Sequence, residues 1–159
     1  MDSTIKNYIE RSDNEIIIAV SLLRLSEDKD AKKYFNIDDW QTFYSAVISH
    51  SYYSIFYAAK AILLTKGIKT FAPDVHNNTI ASFKENLVDT GILDVKLLEI
   101  YSKLVVRADE LLGIFAREKS KRGDFTYKTL PQAHKIPSDD SLKNAQIFNM
   151  NIKKVINKK

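Results

Sequence analysis

The stretch best suited to chemistry lies at residues 117–127, where cations, a carboxylate and two aromatic rings follow one another. Four of its first six residues are basic: Arg117, Lys119, Lys121 and Arg122. Arginine can hold a phosphate through two parallel hydrogen bonds, and an aromatic ring such as that of Phe125 can stack on a base. We therefore predict that these five residues bind RNA or a nucleotide.

The charge distribution is consistent with RNA or nucleotide binding, and also with basic residues that serve only solubility. Residues 117–159 carry 11 Lys and Arg against 4 Asp and Glu, whereas residues 1–116 carry 13 against 16. Such asymmetry is typical of a chain that meets an anionic partner, and also of a lysine-rich end kept for solubility. Glu118 and Arg122 also have the spacing of an exposed ion pair on a helix, and cations stabilise the end of a helix. Both interpretations stay open.

The three histidines are dispersed along the chain. His50 is expected to be packed or interfacial, His76 to have a capping or structural role, and His134 to lie in a loop. No two histidines have the spacing of metal ligands, and the chain has no cysteine. Because phosphate-cradling glycine loops are also missing, we predict neither a metal nor an organic cofactor.

The elements that position these residues are predicted to be long helices. The 159 residues include only four glycines and three prolines, the residues that most often interrupt helices. Apolar periodicity predicts helices over 3–25, 40–66, 74–89, 94–122 and 138–157, with a long loop at 123–137. Asp38 or Asp39 is the expected cap of the second helix, and Ser138 that of the last. We predict one all-α domain, 1–159, built as a four- to five-helix up-and-down antiparallel bundle.

The second predicted helix is apolar or aromatic on two sides. Tyr53, Tyr57 and Lys60 lie on one side, at the spacing of a helical face, and a second apolar row lies on the other. A helix of this kind is usually buried on both sides, so a second subunit is expected to cover this face in a homodimer. The alternative is that the two tyrosines pack under the first and last helices.

The order of residues in this helix resembles the second-helix signature of the HEPN family, a group of small all-helical proteins. The resemblance covers roughly residues 40–127. It is carried by a tyrosine pair, an Ala-Ala-Lys-Ala run, a glycine, a histidine and a phenylalanine, namely Ser51, Tyr52, Tyr53, Phe56, Tyr57, Ala58, Ala59, Lys60, Ala61, Leu63, Leu64, Gly67, His76 and Phe83. The resemblance implies a HEPN-like bundle that forms homodimers.

The resemblance also implies an activity and a partner. Many members are metal-independent ribonucleases of toxin–antitoxin modules, paired with a minimal nucleotidyltransferase, and use an arginine followed after four to six residues by a histidine. Here Arg122 leads to Tyr127, and Arg117 has no histidine at that spacing. A tyrosine with an ordinary pKa near 10 is a poor base at neutral pH. The motif is therefore degenerate, and we expect RNA or nucleotide binding within such a module rather than cleavage.

Two other functions remain open on the sequence. One is a noncatalytic protein-interaction module, and the other is a ribonuclease that retains activity through Arg117, Arg122, Asp124, Tyr127 or a returning His134. The resemblance also makes Tyr127 a conceivable acceptor for modification by the partner nucleotidyltransferase. No apolar run is long enough to span a bilayer, no charged-then-apolar leader opens the chain, and cysteine is absent. We therefore expect a cytoplasmic protein with no membrane partner.

Overall fold

The computed structural model of the chain describes residues 2–112 and 134–158. Its described helices are α1 (Ser3–Glu27), α2 (Lys29–Tyr34), α3 (Tyr44–Leu64), α4 (Val75–Phe83), α5 (Val95–Leu112) and α6 (Lys135–Asn157). A single π-helical segment, Lys84–Val88, continues α4. Across these described ranges every regular element is helical, which confirms the predicted all-α fold.

Helix α3 lies at the centre of the bundle and packs against α1, α4, α5 and α6. Helix α1 runs antiparallel to it, because Ser12 contacts Ser54 while Ser26, further along α1, contacts Phe43, which precedes α3. Helix α6 is antiparallel to both α1 and α5 and therefore parallel to α3. The four long helices thus alternate in direction along the sequence, as predicted for an up-and-down bundle.

The core is apolar with one polar centre. Three aromatic rings, those of Phe83, Tyr101 and Phe148, meet with centroids 5.4 to 5.8 Å apart and join α4, α5 and α6. The polar centre includes Ser12 of α1 and Ser54 of α3, whose hydroxyls each donate 2.8 Å bonds to the other residue's backbone carbonyl. Asn149 Nδ2 of α6 donates to both hydroxyls, at 2.7 and 2.6 Å. The two bonds from serine to carbonyl require close approach of the α1 and α3 backbones, which the small serine side chain permits.

The predicted start of the second helix is wrong by four residues. Helix α3 begins at Tyr44, while Trp40 lies in a turn with 77% of its surface exposed. Neither Asp38 nor Asp39 caps it; the residue before the helix, Phe43, has no side-chain cap, and its backbone N–H donates to Ser26 Oγ of α1 at 2.7 Å. A contact between helices has taken the place of the expected local cap.

The predicted start of the last helix is also wrong. Helix α6 begins at Lys135, so that residues 135–137 are helical and the predicted loop does not extend to 137. Ser138 is fully buried inside the helix instead of capping it. Pro137 is compatible with this because a proline in the first turn of a helix removes only an N–H that has no helical partner. The expected end of the fourth helix at 122 lies outside the described residues.

Within residues 2–112 and 134–158, no helix is both long enough and apolar enough to cross a membrane.

Candidate functional site

The residues predicted to bind or act on RNA lie outside the described part of the chain. They are Arg117, Lys119, Lys121, Arg122, Asp124, Phe125 and Tyr127, all within 113–133. The structure describes a helix on either side of this segment: α5 is described as far as Leu112, and α6 begins at Lys135. The role of the seven residues therefore stays a prediction, and α5 and α6 are the described elements that border them.

An arginine clamp joins the end of α5 to the start of α6. Arg107 Nη1 donates to Asp140 Oδ2 at 2.7 Å, to Ser141 Oγ at 3.0 Å and to the Pro137 carbonyl at 3.4 Å. Lys103 also pairs with Asp140 Oδ2 at 2.7 Å. Because α5 and α6 are antiparallel, this clamp holds together the two ends between which residues 113–133 run.

The clamp itself is an intramolecular contact. Hydrogen bonds from Lys103, followed by those from Arg107, hold the pKa of Asp140 below its ordinary value of 3.8. The carboxylate is therefore charged at neutral pH, and the Arg107 guanidinium faces a negative partner of its own chain. The contact between Arg107 and Asp140 therefore positions the two helices, and an external anion would have to be bound by other cationic residues.

A tyrosine–histidine pair connects α3 to α4. The Tyr52 hydroxyl and His76 Nδ1 are 2.7 Å apart, and the imidazole lies against Phe56 with ring centroids separated by 4.6 Å. Tyr52 is fully buried and His76 is half-buried. The structural role expected for His76 is thus what its contacts show.

Burial sets the protonation state of this pair. It lowers the pKa of His76 from the ordinary 6.5; the positive charge of Lys60 lowers it further, and Asp74 acts in the opposite sense. Burial also raises the pKa of Tyr52 well above 10, and the negative charge of Asp109 adds to that effect. Both side chains are therefore favoured in their neutral forms, and the pair joins α3 to α4 as a buried polar contact.

Two of the three residues predicted for a dimer interface, Tyr57 and Lys60, contact side chains of α1. The Tyr57 ring stacks at 6.3 Å on Tyr8, and the Arg11 guanidinium lies 4.3 Å from the Tyr57 ring centre. The Lys60 ammonium lies 5.2 Å from the centre of the Tyr8 ring. Two residues of α1 and two of α3 thus alternate in a row, which we call the cation–aromatic row: Arg11, Tyr57, Tyr8, Lys60.

Helix α1 therefore makes part of the contacts that a second subunit was expected to make. Tyr53, Tyr57 and Lys60 are each half-buried in the protomer. The packing of Tyr57 against α1 corresponds to the alternative left open on the sequence. The dimer interface itself stays a prediction.

The other two histidines have different surroundings. His50 Nδ1 lies 2.6 Å from Glu15 Oε2, which joins α3 to α1 inside the protomer. His134 directly precedes α6 without capping it and is exposed. In the described ranges no three His, Asp or Glu side chains come together as metal ligands.

Tyr8, Arg11 and Arg107 were not predicted from the sequence. The only local signal for the first two was their spacing of three residues on one face of a helix. Their partners are 46 or more positions away in the sequence, so their role depends on the register between two helices.

Comparison with known proteins gives a consistent result. The model of the HEPN domain family matches residues 27–128, which is 102 of the 159 residues. The chain is 42% identical over 57 residues to the protein named "Putative toxin MJ0142" of Methanocaldococcus jannaschii, which covers 36% of this chain and 37% of that protein. It is 32% identical over 96 residues to "UPF0332 protein PH1297" of Pyrococcus horikoshii, which covers 59% of this chain and 61% of that protein. The chain therefore spans less than two thirds of either relative.

Proposed function

The chain belongs to the HEPN domain family, and on that premise we propose that it is a toxin-like HEPN protein that binds RNA or nucleotides. The observation that carries the proposal is the extent of the family match. Residues 27–128 include both the aromatic helix α3 and the basic segment that begins at Arg117 and ends at Tyr127. The toxin part of the proposal is supported by the name of the M. jannaschii relative, to which more than a third of the chain is similar.

Binding is better supported than cleavage. Four cations and two aromatic rings within residues 117–127 supply phosphate contacts and stacking surfaces. Cleavage needs a group that moves protons near neutral pH, and the position after Arg122 that would hold a histidine holds Tyr127 instead. The ribonuclease motif is degenerate in this chain, and a nucleic-acid complex is the function that its residues favour.

The assembly we propose is a cytoplasmic homodimer in a toxin–antitoxin-like module with a minimal nucleotidyltransferase. The location rests on the absence of cysteine, which suits a reducing compartment. Tyr53 supports the dimer, because it remains half-exposed on α3 after α1 has packed against Tyr57. Light scattering on the purified protein tests this: a dimer mass that falls to a monomer mass in Tyr53→Glu supports the interface, and a monomeric wild type contradicts it.

RNA binding is tested by fluorescence anisotropy with a labelled single-stranded RNA at several salt concentrations. Each phosphate contact to a single strand contributes about 0.7 to the slope of log affinity against log salt. The double variant Arg117→Ala, Arg122→Ala is expected to lower this slope by ~1.4. The matched control is Lys143→Ala, Lys154→Ala, which removes the same charge from exposed positions of α6. Equal slopes in the two variants would show that the charge is used only for solubility.

Cleavage and modification are tested separately. Total RNA is incubated with wild type, Arg122→Ala and Tyr127→Phe in the presence of a chelator. The degenerate motif predicts no cleavage, whereas activity that both substitutions abolish would establish a ribonuclease. Mass spectrometry after incubation with the partner nucleotidyltransferase and ATP then shows whether Tyr127 gains mass.

A further inference from the structure

A small cavity lies at the end of the cation–aromatic row. It has a volume of about 120 Å³ and lies between the first turns of α1, the last turns of α3 and the chain that follows α3. Its described lining residues are Thr4, Tyr8, Lys60, Leu64, Ile68, Lys69, Thr70 and Phe71. They include two lysines and two aromatic rings, and no carboxylate is among them.

The far wall of the cavity is held in place by hydrogen bonds. Lys60 Nζ donates to the Thr70 carbonyl at 3.2 Å, and the hydroxyls of Thr70 and Thr79 lie 2.7 Å apart in a buried contact. The turn after α3 is set by Gly67, whose φ of 74° lies in the left-handed region. These bonds fix the segment that carries Phe71, so this ring is presented to solvent in a defined place.

Phe71 is an exposed aromatic ring with 67% of its surface accessible, although large apolar rings are usually buried. It follows Lys69 and Thr70, both of which line the cavity. An exposed ring next to a cationic cavity is the combination that single-strand binding proteins use to hold a base and its phosphate.

The size of the cavity limits its occupant. At about 120 Å³ the cavity is smaller than the clefts of about 300–1,000 Å³ that hold drug-sized ligands, so it suits a group such as phosphate better than a whole nucleotide. A base attached to that phosphate therefore has to lie outside the cavity, where the exposed face of Phe71 is available for stacking.

We propose that this cavity is a second contact site for single-stranded RNA, with a phosphate on Lys60 and Lys69 and a base on Phe71. The site rests on the proposed RNA-binding function and adds a surface that is separate from residues 117–127. Charge argues against a second copy of this chain as the occupant. A symmetric contact buries the same patch of both subunits, so it would bring four lysines into one interface with no carboxylate among the lining residues.

The site is tested with Lys69→Ala and Phe71→Ala, using a fluorescein-labelled oligouridine as the probe. Loss of one stacked base costs about 1–3 kcal/mol, so Phe71→Ala is expected to weaken binding about 5- to 150-fold. Lys69→Ala is expected to lower the salt slope by about 0.7. The matched controls are Phe35→Ala, at a ring that is 60% exposed, and Lys33→Ala beside it. These controls are expected to leave affinity unchanged, and thermal melts confirm that each variant folds.

Photo-crosslinking of an oligonucleotide containing 5-iodouridine separates this proposal from the proposed function. Crosslinks to Phe71 or Tyr8 as well as to residues 117–127 are the expected result. Crosslinks to 117–127 alone overturn the second site and leave the proposed function intact, and no crosslink overturns both. If free uridine monophosphate competes as strongly as the unlabelled oligonucleotide, the cavity binds a nucleotide and not an RNA strand, which overturns the proposal. A change of oligomeric mass in Phe71→Ala with unchanged RNA affinity identifies a protein contact and overturns the proposal.

Discussion

Removing the arginine of the clamp between α5 and α6 should destabilise the protein much more than removing an exposed arginine. The Arg107 side chain is only 22% exposed, and its Nη1 has three acceptors on the first turns of α6. In Arg107→Ala these bonds are lost, while Lys103 remains to pair with Asp140 and the Ser141 hydroxyl still donates to the Pro137 carbonyl. The partners are thus left paired, which limits the loss.

The magnitude follows from the partial burial of the pair. Hydrogen bonds to charged groups contribute about 1.5–3 kcal/mol, and the 38% exposure of Asp140 places this contact at the lower end, at about 1.5–2 kcal/mol. For a chain of this length each kcal/mol lowers the melting temperature by about 2–4 °C. We therefore expect Arg107→Ala to melt about 3–8 °C below wild type.

The assays are thermal melting and urea unfolding, both followed by circular dichroism, with Arg24→Ala as the matched control. Arg24 also pairs with an aspartate, Asp28, at 3.2 Å, but its side chain is 76% exposed and the pair is four residues apart on a helix. Such pairs contribute about 0.3–0.5 kcal/mol. Both variants lose one positive charge, so the difference between them measures the partly buried contacts of Arg107 and not the loss of a charge.

The stability difference between wild type and Arg107→Ala should depend on pH in a predictable direction. The folded pKa of Asp140 is held below 3.8, so its contribution is present above that value and is lost as the pH falls through the folded pKa. The gap between wild type and Arg107→Ala should therefore close in strong acid. An Arg107→Ala variant as stable as Arg24→Ala at neutral pH would refute the role of the clamp.

Three further substitutions test other parts of the structure. Burial lowers the pKa of His76 below 6.5, so the unfolded chain binds a proton at this residue at a higher pH than the folded chain does. The wild-type protein should therefore lose stability as the pH falls below 6.5. His76→Gln should remove this contribution from the pH dependence of the urea midpoint. Ser54→Ala loses the bond from the Ser54 hydroxyl to the Ser12 carbonyl and the bond from Asn149 Nδ2 to that hydroxyl, and should cost about 1–3 kcal/mol. Ser54→Leu should cost about 1–3 kcal/mol more by forcing α1 away from α3, and equal melting temperatures of the two variants would contradict the close packing. Gly67→Ala should cost about 1–2 kcal/mol through its φ of 74° alone, since no described atom lies within 4 Å of the added Cβ, and an unchanged melt would rule out that conformation.

The fold was predictable where one physical effect dominated. In α5 the apolar residues recur by threes and fours, and Leu97, Tyr101, Leu104 and Ala108 are all buried as this spacing predicts. Burial of an apolar face contributes more than any local preference, so helices with a strong periodic pattern form where the sequence places them.

Helix ends were less predictable, because caps compete with contacts from elsewhere in the chain. Asp38 and Asp39 have the right side chains for a cap, yet the residue before α3 donates its N–H to Ser26 from another helix. Ser138 has a capping side chain as well, but the turn before it is already helical. Each end depends on a partner that local sequence does not contain.

The candidate site was even less predictable from local sequence, because its contacts join distant parts of the chain. The composition of residues 117–127 indicates what the segment can bind, and this needs only residue types. The cation–aromatic row needs the register of α1 against α3, because Arg11 meets Tyr57 only when Ser12 faces Ser54. No periodicity within either helix specifies that register, so half of the row was missed.

The composition of this row also bears on what covers α3. Two full apolar faces on one helix are consistent with either a dimer or a central helix, and the contacts with α1 make α3 central for the part that includes Tyr57. The centres of protein interfaces are depleted in lysine, whereas single-stranded nucleic acid is held by cations set among aromatic rings. Lys60 and Arg11 lie among Tyr8 and Tyr57 at distances of 4.3 to 5.2 Å. If RNA occupies the Lys60 end of this groove, a dimer has to use the Tyr53 end, so Tyr53→Glu should abolish the dimer and leave the crosslink at Phe71 in place.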